Sequence, residues 1–115
     1  MQGELDFTQR QQAQAHAEIE SRLERAFVDF HANNPHVYER LVKLARDLVA
    51  RGHRKLGIGM LYEVVRWMQY METTDTDFKL NNNHRSRYAR LIMSQEPDLA
   101  EVFETRELAD DRSVV

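Results

Sequence analysis

With 115 residues, of which 42% are hydrophobic and 30% charged, the chain is long enough for one domain and is not expected to be disordered. The sequence has no cysteine, which excludes disulfides, thiolate nucleophiles and the common structural zinc sites. The net charge of −3 conceals an uneven distribution, because residues 40–90 carry eleven basic side chains against five acidic ones, between two acidic flanks.

The sequence predicts no targeting or membrane segment. The first twenty residues contain Gln, Glu and Arg without an apolar core, so no secretory signal is expected. The longest apolar stretch, near residues 59–65, is far shorter than the roughly 20 residues that span a bilayer. We therefore expect a cytoplasmic protein.

The first predicted element is a helix that begins near Thr8. Thr8 and Gln11 have the spacing of a capping box, in which two side chains satisfy free backbone N–H groups. Apolar residues then recur every three or four positions and predict one buried stripe, made of Ile19, Leu23, Phe27 and Phe30.

Residues 9–17 lack large apolar side chains, so little of this stretch has a reason to be buried. We therefore assign residues 1–17 to a helical extension that either projects from the body or pairs with a second chain in a homodimer. Residues 18–108 are expected to form a single helical domain, and residues 109–115 a frayed acidic tail.

The second helix is predicted to start at Pro35 with Asn34 as its N-cap. Gly52 is expected just after its last residue, where helices often need a left-handed residue. Its core stripe is predicted to consist of Val37 or Tyr38, Leu41, Leu44 or Ala45, and Leu48.

The third helix is predicted from about Ile58 to Met71. Its buried face is expected to contain Leu61, Val64, Val65, Met68 and Met71, with Trp67 at the edge. The opposite side is predicted to carry Tyr62, Glu63, Arg66 and Tyr70. For the aromatic residues of this helix, the alternatives are base stacking, a partner hot spot or simple packing in the core.

The last part of the chain is predicted to begin with a loop over residues 73–77 and a possible short extended piece at 78–80. Three asparagines, Asn81 to Asn83, offer caps for a fourth helix over about residues 83–94. Pro97 is expected to open a short helix that carries Leu99, Val102 and Phe103. The predicted fold is therefore all-α, a compact bundle of four main helices plus a short C-terminal helix.

The fourth helix contains the first candidate phosphate-binding site. At about 100° per residue, Tyr88, Leu91 and Ile92 share one face, whereas Ser86 and Arg90 point the opposite way. A helix N-terminus and arginine side chains both favour anions. The candidate residues here are His84, Arg85, Arg87 and Arg90. The alternative is a solvated helix face whose arginines pair with Asp75, Asp77 or the acidic tail.

The connector between the second and third helices is the second candidate. It contains Arg51, His53, Arg54 and Lys55, which together could clamp phosphate. Two helices joined through a glycine-containing turn resemble a helix-turn-helix unit. Two features oppose base reading here, since the connector is longer than usual and the next helix opens with apolar residues. The alternative is an ordinary exposed loop.

Catalytic and metal-binding arrangements are not predicted. His31 and His36 are separated by Pro35 and so do not share one helical face as metal ligands would. No glycine-rich phosphate loop and no nucleophile motif is present in the sequence. We expect no enzyme activity, no cofactor and no metal.

Two runs of the sequence carry a resemblance, Lys55-Leu56-Gly57-Ile58-Gly59-Met60-Leu61-Tyr62-Glu63-Val64-Val65-Arg66-Trp67 and Phe78-Lys79-Leu80-Asn81-Asn82-Asn83-His84-Arg85-Ser86-Arg87-Tyr88-Ala89-Arg90. Together they resemble a family of short proteins from bacterial and phage genomes, over roughly residues 27–108. No activity, cofactor or partner is attached to that family. The resemblance therefore implies no functional residue and favours only a phage or prophage accessory protein.

The leading functional hypothesis is a small, non-catalytic, regulatory or accessory protein that binds DNA or RNA through these basic residues. The first alternative is an adaptor or inhibitor whose basic face binds an acidic protein. The second is a structural homodimer built on the N-terminal helix.

Overall fold

The structure is a computed structural model that describes the backbone of residues 2–74 and 79–104 and the side chains of residues 7–74 and 79–104. Within these ranges there are four α-helices and no strand: α1 (Gln2–Asn33), α2 (Pro35–Ala50), α3 (Ile58–Glu72) and α4 (Arg85–Gln95). Two short 3-10 turns cover Asn82–His84 and Pro97–Leu99. The all-α prediction is confirmed. The chain divides into two units, with α1 in the first and everything from Asn34 onward in the second.

Helix α1 starts earlier than its capping signal predicts. It is already helical at Gln2, so Thr8 lies inside the helix and the predicted start is wrong. Glu, Leu and Gln upstream of Thr8 are good helix formers, which lets the helix continue through a possible cap. The predicted domain boundary after residue 17 falls within this continuous helix. Of the predicted stripe, Phe27 is buried and stacks on His31 one turn later, whereas Ile19 is 48% exposed.

Helix α2 has the predicted bounds, but its N-terminus lacks the predicted side-chain hydrogen bond. Pro35 is its first residue, and Asn34 occupies the N-cap position without a side-chain capping bond. The Asn34 carbonyl instead accepts a hydrogen bond from the Val37 N–H at 3.1 Å. The predicted side-chain cap is therefore wrong. The core side of α2 is a stripe with a spacing of about four residues, formed by Val37, Leu41, Val42 and Ala45.

Helix α3 buries only part of the predicted face, since Leu61 and Val65 are in the core as predicted. Its buried residues are Ile58, Leu61, Tyr62 and Val65. Val64 and Met71, which were expected in the core, are exposed, and Met68 is only partly buried. The helix is turned toward Tyr62 because the phenol finds a partner there, donating to the Asn81 carbonyl at 2.5 Å. A tyrosine whose hydroxyl is satisfied in this way can be buried completely.

The chain after α3 packs back against it. The Asn81 side chain accepts a hydrogen bond from the Asn83 N–H at 2.9 Å and so caps the 3-10 turn that leads into α4, whereas α4 itself has no side-chain cap. Helix α4 then buries Tyr88, Ala89 and Ile92. Phe78 lies outside the described residues, and Lys79 and Leu80 belong to no strand. The predicted short element at Pro97 is a single 3-10 turn followed by buried Val102 and Phe103.

Candidate nucleic-acid interface

The connector, residues 51–57, begins with a well-defined helix stop. Gly52 has a φ of +103°, a conformation that favours glycine over other residues. The Gly52 N–H donates to the Val49 carbonyl at 3.0 Å, and the His53 N–H donates to the Leu48 carbonyl at 3.1 Å. This pair of bonds is the Schellman motif, which satisfies the last carbonyls of α2. The first half of the connector is therefore held in one conformation.

The other half of the connector is held by the C-terminal segment. Leu56 is buried and forms an isolated parallel bridge with Phe103. Its N–H donates to the Val102 carbonyl at 2.8 Å, and its carbonyl accepts from the Glu104 N–H at 3.1 Å. The Lys55 ammonium also donates to the Glu101 carbonyl at 2.6 Å. The connector is thus a fixed loop rather than a flexible tether.

Between these two anchors the connector presents basic side chains to solvent. Arg51, His53, Arg54 and Lys55 are all exposed; we call these four residues the connector surface. Within residues 7–74 and 79–104, neither Arg51 nor Arg54 forms an ion pair. Their guanidinium groups are therefore available for an external anion, as far as the described part of the chain is concerned.

Other basic residues between positions 40 and 90 form ion pairs and hydrogen bonds within the fold. Arg40 of α2 binds Glu72 and Gln69 of α3, with the Gln69 contact at 2.6 Å. Lys43 pairs with Asp47 one turn further along α2. These contacts neutralise part of the basic excess that the sequence displays, so the basic surface is smaller than residue counting predicts.

Arg46 holds the C-terminal segment onto α2. Its Nε and Nη2 donate to the two oxygens of Asp98 at 2.9 and 3.0 Å, and Nη2 also donates to Glu96 at 2.7 Å. The Tyr38 hydroxyl donates to the second oxygen of Glu96 at 2.8 Å. Burial and this bond raise the pKa of Tyr38 to about 12. Hydrogen bonds from Arg46 lower the pKa of Asp98.

Arg66 and Tyr62 of α3 bind the segment that contains the three consecutive asparagines, Asn81 to Asn83. The Arg66 Nη2 donates to the Leu80 carbonyl at 2.7 Å and to the Asn82 side chain at 2.6 Å, while its Nη1 pairs with Glu63. The Arg66 guanidinium also lies 5.5 Å from the centre of the Tyr62 ring. Sequence reasoning missed this cluster, because nothing in the local pattern connects Arg66 to residues 14 and 16 positions later.

The α4 candidates are only partly available. His84 is 5% exposed, and burial together with the nearby Arg87 charge lowers its pKa, so it is a neutral core residue at physiological pH. Its prediction as an accessible phosphate contact is therefore wrong. Arg87 donates to the Asn83 carbonyl at 3.1 Å, and both Arg85 and Arg87 are partly exposed. Arg90 is exposed while Tyr88 is buried, as the helical pattern predicts.

The two predicted basic groups rest on different supports. The connector surface is anchored by the end of α2 and by residues 101–104. The start of α4 is anchored by Tyr62 and Arg66 in α3. The connector surface is therefore one candidate site, whose residues are consecutive or nearly so in sequence and share the same anchors. The α4 arginines form a second candidate site.

The described residues contain no group of three His, Asp or Glu side chains that could hold a metal ion. Within the same ranges, none of the helices is both long enough and apolar enough to cross a bilayer. Comparison with protein-family models, with curated proteins and with solved structures finds no match. The resemblance to short bacterial and phage proteins accordingly stays a prediction.

Proposed function

We propose that this protein is a non-catalytic nucleic-acid-binding protein that contacts phosphate through the connector surface. The observation that carries the proposal is that Arg51 and Arg54 are exposed on a fixed loop and have no ion pair within the described residues. Guanidinium groups present forked donors that fit phosphate oxygens. Because the loop is held at both ends, little backbone conformational entropy is lost when phosphate binds.

The contacts are expected to be with the backbone of the nucleic acid rather than with its bases. A helix that reads the major groove presents polar side chains near its N-terminus. The first turn of α3 instead buries Ile58 and Leu61 in the core and exposes Met60. Binding through the connector is therefore expected to be independent of sequence and to weaken steeply with salt.

Arg51 and Arg54 are expected to matter more than Lys55. The Lys55 ammonium is already occupied by the Glu101 carbonyl, and the segment that holds it carries the acidic side chains of Glu101 and Glu104. A phosphate near Lys55 would meet these carboxylates.

The α4 arginines are proposed as a second contact. Arg90 is exposed, and Arg85 and Arg87 are partly exposed. His84 is left out of the proposal because it is buried. Replacing Arg90 alone should reduce affinity less than replacing both connector arginines, because one phosphate contact is lost instead of two.

Fluorescence anisotropy titrations of labelled duplex DNA and single-stranded RNA, each at several salt concentrations, test the proposal. The variant Arg51→Ala/Arg54→Ala should bind more weakly, and its salt dependence should flatten by about 0.9 for each lost phosphate contact on duplex DNA. The matched control is Arg22→Ala/Arg25→Ala, which removes the same charge from exposed positions in α1. This control should retain the wild-type salt dependence.

An equal loss of affinity in both double variants would mean that only net charge matters, and it would contradict a site at the connector. Absence of binding to either nucleic acid at low salt would contradict the proposed function as a whole. The connector surface would then be better explained as a contact for an acidic protein, which is the alternative function.

A further inference from the structure

Helix α3 carries a second apolar face, opposite the one that it buries. Met60, Val64, Trp67 and Met71 lie along one line of the helix and are 54%, 38%, 63% and 68% exposed. We call these four residues the α3 seam. A helix that is apolar on both sides normally has both sides covered. The α3 seam therefore indicates a contact that the second unit does not make with its own described helices.

The spacing within the α3 seam indicates what kind of partner fits. The steps between its residues are four, three and four positions, which is the alternation of a and d positions in a coiled coil. This spacing keeps the side chains facing one neighbouring helix over about three turns. The occupant is therefore expected to be a helix.

We propose that the α3 seam pairs with the α3 seam of a second copy of this chain in antiparallel orientation. The spacings between the four seam residues are four, three and four in either direction along the helix. Each seam residue of one copy can therefore lie opposite a seam residue of a reversed second copy. Met60 then lies opposite Met71 of the second copy, and Val64 lies opposite Trp67 of the second copy. A small residue against the largest one at the centre lets the two faces interlock, and a two-fold contact of this kind is self-complementary.

The residues beside the seam favour the antiparallel orientation. Glu63 and Tyr70 flank one side of the seam, and Met68 flanks the other. In an antiparallel pair, Glu63 faces Tyr70 of the second copy, so a phenol can donate to a carboxylate. In a parallel pair, Glu63 would keep its ion pair with Arg66 but would face Met68 of the second copy, which donates no hydrogen bond in place of the lost water.

This dimer uses α3 and differs from the dimer on the N-terminal helix that the sequence suggests. It also does not depend on nucleic-acid binding, because the seam shares no residue with the connector surface. Trp67 lies near the middle of the seam, where interfaces concentrate their binding energy in aromatic anchors. Its replacement by a charged residue should therefore have the largest effect.

Sedimentation velocity over a range of protein concentrations tests association. The wild-type chain should dimerise, and Trp67→Glu should raise the dimer Kd by about 30-fold or more. The matched control is Val28→Glu, which places the same charge at an exposed apolar position of α1. It should dimerise like the wild type, and circular dichroism should show unchanged helix content in both variants. Loss of the dimer in Val28→Glu but not in Trp67→Glu would overturn the proposal in favour of α1.

Cysteine cross-linking tests the orientation, since the chain has no native cysteine. Met60→Cys and Met71→Cys chains, mixed and mildly oxidised, should form a disulfide-linked dimer in high yield. Each variant alone should cross-link poorly, because in the antiparallel pair each cysteine lies roughly 16 Å from its own copy, too far for a disulfide. Efficient cross-linking of Met60→Cys with itself would overturn the antiparallel pairing. A monomer at every concentration would overturn the dimer and leave α1 or another protein as the occupant.

Discussion

Two groups of arginines look alike in sequence but differ in the fold, one on α2 and α3 and the other in the connector. On the helices, Arg40, Arg46 and Arg66 are bound to carboxylates, carbonyls and amides of the same chain. In the connector, Arg51 and Arg54 are exposed and form no ion pair within the described residues. The first group joins distant parts of the fold, whereas the second has no ion pair among the described residues and is open to an external anion. A count of charges along the chain cannot separate the two groups.

The difference follows from what each region can reach. Arg46 and Arg66 extend from helices over segments that return close to them, so their guanidinium groups find several acceptors at once. Several bonds to one guanidinium hold it more firmly than a single surface ion pair would. The connector lies at the end of α2, where Lys55 alone binds such an acceptor among the residues that the structure describes. If the two groups of arginines differ in this way, changes to the first should affect stability and changes to the second should affect nucleic-acid binding.

The largest effect is expected from Arg66→Met. This change removes the bonds to the Leu80 carbonyl and the Asn82 side chain and leaves a partly buried carbonyl without its donor. We expect a loss of about 1–3 kcal/mol in the free energy of unfolding, measured by urea denaturation. Nucleic-acid affinity should stay close to wild type while the protein is folded. A variant with wild-type stability and reduced affinity would mean that Arg66 acts in nucleic-acid binding, like the connector arginines, and not in holding the fold.

A smaller loss is expected from Gly52→Ala, which acts on the scaffold of the connector. No atom would clash with the added methyl group, but the φ of +103° is strained for any residue with a Cβ. We expect destabilisation of about 1–2 kcal/mol in thermal or urea unfolding. Gly52→Asn should lose less, because asparagine tolerates positive φ better than alanine. Equal stability of all three proteins would mean that the Schellman turn does not hold the connector.

A pH-dependent effect is expected from His84, whose pKa is lowered by burial and by Arg87. The unfolded chain binds a proton near the ordinary value of 6.5, whereas the folded chain resists it. The contribution of His84 to stability is therefore fully present above that pH and is lost as the pH falls from there through the lower pKa of the folded state. His84→Gln should flatten this dependence in urea unfolding between neutral and mildly acidic pH. His53→Gln, at an exposed connector position, should leave the dependence unchanged; if it flattens the curve instead, the assignment to His84 is wrong.

The smallest effect on stability is expected from Arg51→Ala/Arg54→Ala. Both side chains are exposed and without ion pairs in the described part of the chain, so their loss removes no contact that holds the fold. The urea and thermal midpoints should match those of the wild type, although nucleic-acid affinity falls. A clear loss of stability would show that these arginines have structural partners and would move them into the helix-bound group.

Local chemistry made most element boundaries predictable. Pro35 opens α2 because its fixed φ suits a first helical position, and Gly52 ends α2 because the next turn needs a positive φ. Asn81 caps the turn before α4 with its own side chain. The exposure of the connector surface and of Arg90 also follows from loop composition and helical periodicity. The start of α1 was the exception, because an available cap does not force a helix to begin there.

The face that each helix buries was decided only by the tertiary structure. Periodicity in α3 allows two apolar faces, and the choice between them depends on the Asn81 carbonyl that accepts the Tyr62 hydroxyl, 19 positions away. His84 became a core residue because the asparagine run folds back onto α3.

The roles of the arginines were decided in the same way, because the acceptors of Arg46 are 50 and 52 positions away in sequence. Except at the start of α1, the sequence by itself determined where the helices begin and end, since those signals act within a few residues of the backbone. Burial, protonation and ion pairing depend on which segments meet in space, and only the tertiary structure brings those segments together.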